Sequence, residues 1–230
     1  MIAGPDSTAD TMQRALAQSI NALDAAIALD VDRSDDDRAF FTAEKATLDA
    51  LFEEVEVADR AVLRHGYRER QRHQARVEVG DVVLDRGVRD GKKRATLELK
   101  KIDADAIDHL FPSDITEIVD AERHVEPALV LERTERFKNV PDFPGKADLK
   151  ADLEGRAERQ KQNFTARDAA ALVEDGLDAT LERAIARSSE ALYKLEKRLL
   201  TRFPREKVYV RSFFLDVAPA RKKKAEPTAG

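Results

Sequence analysis

The residues with most chemical potential lie between Asp59 and Arg76, where arginines recur at Arg60, Arg64, Arg68, Arg72 and Arg76, with one more at Arg70. A spacing of four sets five guanidinium groups along one slowly winding face of an α-helix. Such a row can grip phosphates, which require only positive charge on a reachable face. Tyr67 lies inside the row, and Lys92-Lys93-Arg94 and Lys222-Lys223-Lys224 add charge elsewhere. The row can instead be neutralised by protein carboxylates. Glu117, Asp120, Glu122, Glu126, Glu132 and Glu135 could supply them from the same chain, or Asp49, Glu53, Glu54 and Glu56 from a second copy.

Charge layout favours neutralisation by protein. The chain of 230 residues is acidic overall, with net charge −5, whereas nucleic-acid-binding domains usually carry a basic balance. The sign alternates in blocks: residues 30–59 hold 11 acids and 3 bases, 60–101 hold 6 acids and 13 bases, and 102–137 hold 10 acids and 3 bases. Each block is about one helix long, as if the blocks were made to pair.

A metal is the third chemistry to weigh. His65, Glu69 and His73 stand at i, i+4 and i+8, and imidazole and carboxylate are suitable ligands. Arg64, Arg68 and Arg72 beside them would repel a cation, so solvated polar side chains are the expectation. Glu117, Asp120 and His124 also share a face, but the paired Glu-x-x-His motifs of a di-iron bundle are missing. The stretch from Gly87 to Lys93 lacks the spacing and the Ser/Thr of a phosphate-binding loop. With no cysteine, thiolate chemistry, disulfides and Cys-based zinc sites are excluded. These features argue against an enzyme and against a bound cofactor.

The elements that must carry these residues are helices. Charged residues make up 37% of the chain, against roughly 25% in an average globular protein, and only 9 Gly and 8 Pro interrupt it. Met12, Leu16, Ile20, Leu23 and Ile27 mark a first helix starting near Ser7 or Thr8. Ser34 before Asp35-Asp36-Asp37 starts a second, because acids in the first turn suit the helix dipole. Its buried stripe is Phe41, Leu48, Leu51, Phe52, Val55 and Val62. Residues 77–101 read either as a β-hairpin turning at Asp90-Gly91 or as a continued helix through Leu84, Val88, Gly91, Ala95 and Leu99; the helix is favoured. Short helices follow over 103–110, from Ser113-Asp114, and over 128–137, and Pro127 breaks the pattern. Residues 139–145 form a loop. From Lys146 to Phe203 no proline occurs, and leucines from Leu149 to Leu199 mark one long helix, with Gly155 and Gly176 as its expected bends. Lys207–Val217 is a strand or a docked helix.

The expected fold is therefore all-α. It is an elongated antiparallel bundle or coiled coil of four to six helices forming one domain over 8–217, with minor β elements conceivable near 77–100 and 207–217. Residues 1–7 and 218–230 are expected to be disordered tails. The function these features predict is a non-enzymatic, self-associating scaffold or adaptor with protein partners. A nucleic-acid or polyanion binder using Arg60–Arg76 is the alternative, and a metal-containing bundle the third. No apolar run is long enough to span a membrane, no signal peptide is legible, and a cytoplasmic, bacterial setting is expected.

Overall fold

The computed structural model describes residues 2–30 and 33–214. The chain is all-α, as expected: among the described residues every regular element is helical. None of these helices is long and apolar enough to cross a membrane. The chain divides into two compact units, Met1–Leu63 with Asp175–Gly230, and Arg64–Glu174.

The first unit is built on α1 (Ala9–Leu29), the helix α2 (Asp35–His65) as far as Leu63, the C-terminal part of α7 (Lys146–Arg202) and α8 (Lys207–Ser212). Thr8 caps α1: its backbone is extended and its Oγ1 accepts from the Thr11 N–H at 3.3 Å. Ser34 does the same for α2, accepting from the Asp37 N–H at 3.1 Å. Met12, Leu16 and Leu23 of α1 meet Phe41, Leu48 and Val55 of α2 and Leu192, Leu195 and Leu199 of α7 in one core. Ala3 is buried in it and Ile2 packs against it, so the N-terminal stretch expected to be loose belongs to the unit. The tail over 218–230 lies outside the described residues.

Four acids of α2 are matched by arginines of α7. Glu44 accepts from Arg198 at 2.5 Å, Glu54 pairs with Arg187, and Asp36 and Asp37 pair with Arg202. The partner numbers fall on α7 as they rise on α2, which is an antiparallel register. Arg202 holds the Asp37 carboxyl below its ordinary range.

The second unit holds the end of α2, a π-helical turn at Gly66–Arg70, α3 (Gln71–Leu99), α4 (Ala106–Leu110), α5 (Thr116–Val119), α6 (Glu126–Glu135), a 3-10 turn at Arg136–Asn139, and the N-terminal part of α7. The β alternatives are not adopted where the chain is described, since 77–99 lies within α3 and 207–212 is α8; 215–217 lie outside. One face of α3 explains the preference. Leu84, Val88, Ala95 and Leu99 recur at helical steps and are all buried against Phe111, Val130, Phe137, Leu149 and Leu153. Pro127 falls in the first turn of α6, where its missing N–H costs nothing, so the expected break is a helix start. Lys92 holds the preceding loop, donating to the Pro112 and Ser113 carbonyls at 2.8 Å each.

The glycines of α3 are spent on close approach to α7. Gln160, buried, donates to the Val77 carbonyl at 2.9 Å, and Asn163 donates to the Arg76 carbonyl at 3.2 Å. A Cβ at Gly80 would overlap Gln160 Oε1 and lie 2.8 Å from Asn163 Nδ2. In Gly80→Ala the helix gains about 1 kcal/mol in propensity. It also strands a buried amide, which costs roughly 1–3 kcal/mol, so a net loss near 1 kcal/mol is expected in urea unfolding. Gly176 is the contrast. A Cβ there meets nothing within 4 Å, and Gly176→Ala should stabilise by about 0.5–1 kcal/mol. A lowered urea midpoint for Gly176→Ala would mean that the helix needs its freedom there.

Candidate partner face and buried carboxyl pair

The arginine row divides at the unit boundary. Arg60 lies in the first unit and pairs with Glu56, one turn back on α2. Arg64, Arg68, Arg72 and Arg76 lie in the second, all exposed. The π-helical turn from Gly66 to Arg70 bonds i to i+5, so residues four apart across it no longer stack. Arg64 is thereby shifted in phase from Arg72 and Arg76, which follow each other on the regular turns of α3.

The acidic block after residue 102 does not cover this row. Glu132 pairs with Arg136, Glu135 with Lys138, and Glu122 with His124. Within the row, Arg72 reaches Glu69 at 3.8 Å and Arg70 reaches Glu174 at 2.9 Å. Among the described residues, Arg64, Arg68 and Arg76 have no ion-pair partner. Glu132 and Glu135 are instead met within their own stretch, because an acid and a base three or four positions apart on one helix are neighbours on its surface.

Further along α3 the same outer side carries Val79, Val82 and Val83, which are 63%, 55% and 38% exposed. Arg86 and Arg89, exposed beyond them, close the face. Sequence reasoning missed these valines, although the signal was present: they fall out of step with the Leu84–Val88–Ala95 stripe that faces the core. The result is a helix face on which aliphatic surface is bracketed by guanidinium groups.

His65, Glu69 and His73 do not assemble. His65 turns to the facing helix, its Nε2 donating to the Ala170 carbonyl at 2.8 Å, and Glu69 pairs with Arg72. No cluster of three or more His, Asp or Glu able to hold a metal occurs among the described residues, and Glu117, Asp120 and His124 form none.

A second chemical feature lies inside the unit. Glu126, at the start of α6, is 1% exposed. Its neighbours are Asp85 and Asp81 of α3, one turn apart. Arg123, just upstream, meets Asp81 at 3.1 Å. Burial, reinforced by Asp85, pushes the Glu126 carboxyl from an ordinary 4.5 up to about 9. Burial also raises Asp81, against the pull of Arg123. In the sequence Glu126 reads as one of the acids that could neutralise the arginine row; only the fold turns it inward.

Compared with known proteins, the chain matches no family model, and neither a curated protein nor a solved structure is found to be similar to it.

Proposed function

We propose that the chain is a helical scaffold or adaptor that works by protein–protein contact, with the outer side of α3 as its contact surface. One observation supports the reading: the exposed Arg72 and Arg76 run directly into three exposed valines on α3, and Arg76, like Arg68 in the turn before it, has no acid partner among the described residues. A phosphate backbone rewards the arginines but gains nothing from the valines. A protein surface that is acidic and partly apolar rewards both, since arginine is enriched at interfaces and the buried centre of an interface is more apolar than its rim. Self-association is the first form of contact to test.

The variant Arg68→Glu/Arg72→Glu/Arg76→Glu tests it. Had the row been docked on acids of its own chain, reversal would destabilise the fold. Because the three side chains are exposed, each change should cost no more than about 0.5 kcal/mol, and the melting curve should stay in place. Mass by light scattering across concentrations, or capture of a partner from the native host, should be lost. Salt-dependent binding of the parent protein to DNA or RNA, abolished in the variant, would overturn the protein-contact reading in favour of a polyanion.

A further inference from the structure

We propose that Asp85 and Glu126 form a proton-binding site that fastens α6 to α3 through one shared hydrogen, so that the second unit loosens as its surroundings turn alkaline. The site is independent of the partner face. Glu126 Oε1 and Asp85 Oδ1 are both cut off from solvent, and as ionised carboxylates neither has a hydrogen-bond donor among the described residues. Two ionised carboxylates can only accept, so they leave each other unsatisfied and repel. One proton resolves both faults at once. It turns Glu126 into a donor to Asp85 and removes a charge from a place that water does not reach.

The surrounding charges reinforce this. Asp81 and Asp85 act on Glu126 from α3, and both oppose its ionisation. Arg123 acts on Asp81 and offsets one carboxylate of the three. From α7, Arg156 is committed to Asp152 at 2.9 Å and to the Val83 carbonyl at 3.1 Å. With all three acids ionised, the cluster would carry two uncompensated negative charges around Arg123.

The sign follows from linkage. Glu126 keeps its proton in the folded unit up to about 9 and loses it near 4.5 when unfolded. Between those values the folded state binds more protons, so stability falls as pH rises and is fully present only below the lower value. The first unit has the opposite slope. Arg202 lowers Asp37 and Arg33 lowers Glu206, and the stability they contribute is lost as pH falls through their depressed values.

Hydrogen exchange of the intact protein, corrected for intrinsic rates, tests the proposal at pH 6, 7.5 and 9. Protection of peptides covering Glu126–Glu135 should fall at least about tenfold between pH 6 and 9, since one bound proton changes an equilibrium by up to tenfold per pH unit. In Glu126→Gln the amide still donates to Asp85 but cannot titrate, and the same peptides should hold their protection across the range. Should that variant fail to fold, carboxyl carbon chemical shifts of the parent protein give the Glu126 titration directly, and a midpoint below 6 sinks the proposal. So would equal alkaline loss in Glu126→Gln. Calcium or magnesium at 1 mM restoring protection at pH 9 in the parent but not in Glu126→Gln would also overturn it, by showing that the pair takes a cation and not a proton.

Discussion

A chain ending at Glu206 should lose several kcal/mol of stability in its first unit, the largest effect expected of any change short of unfolding it outright. The deletion removes α8 and the Phe213 that follows it, and Val210 and Phe213 are each 1% exposed. Each such side chain contributes about 1.5–3 kcal/mol when fully buried, and the whole stability of a typical protein is only about 5–15 kcal/mol. Phe213 also completes an aromatic group. Its ring lies 5.9 Å from that of Phe41, and Tyr209 meets the rings of Phe203 and Phe213 edge-on at 5.7 and 5.1 Å. Arg33 covers the group, its guanidinium 4.6 Å from the Phe203 ring centre and 4.9 Å from that of Tyr209. The same guanidinium donates to Glu206 at 3.1 and 2.5 Å. Without α8, Phe41 and Phe203 face water and Arg33 loses half of its stacking surface. Urea unfolding followed by circular dichroism measures the loss. A chain ending at Phe214 is the control, because it keeps α8 and drops only residues outside the described region. If both truncations unfold at the parent's midpoint, α8 is not part of the core; if both lose equally, the stabilising segment lies beyond it.

In the second unit, Phe111→Ala should cost about 3–5 kcal/mol, the usual range for emptying a buried phenylalanine site. Phe111 stands where α4 ends, in an extended conformation with φ −128° and ψ 140°, which the following Pro112 enforces. That extended residue sends its ring into the core instead of along the helix. The ring reaches Gly91 of α3, where an added Cβ would lie 3.5 Å from Phe111 Cζ and 3.2 Å from Leu149 Cδ1. The site is bounded by backbone on one side and by leucines of α7 on the other, so it cannot collapse readily around a missing ring. Phe111→Leu keeps most of the volume and should lose less than about 1.5 kcal/mol. Hydrogen exchange should place the loss in α3 and α4. A Phe111→Ala protein as stable as the parent would mean that the ring is not packed as described.

Helix content, and the main helix boundaries, were legible in the sequence because they depend on neighbours along the chain. Thr8 and Ser34 cap helices since their hydroxyls reach an N–H three residues on, whatever surrounds them. Leu84, Val88, Ala95 and Leu99 predict a buried face from spacing alone, and Phe111-Pro112 predicts a stop because proline restricts the residue before it. The arginine row was legible for the same reason, and so was the alternation of charge blocks.

What the tertiary structure decided is which groups meet. Charge blocks of opposite sign look paired in the sequence, yet Glu54, Glu44, Asp37 and Asp36 of α2 are met by Arg187, Arg198 and Arg202, more than 130 positions away. Coulomb attraction alone cannot choose among bases, so the antiparallel register, set by leucine and phenylalanine packing, makes the choice. The π-helical turn at Gly66–Arg70 shifts the phase of the arginine row, a change that spacing does not reveal. The burial of Glu126 depends on where α6 comes to rest against α3, and nothing in Val125-Glu126-Pro127 distinguishes it from the surface acids around it. Local spacing could write each face of each helix. Only long-range packing could determine which face meets water, and therefore which charges stay exposed.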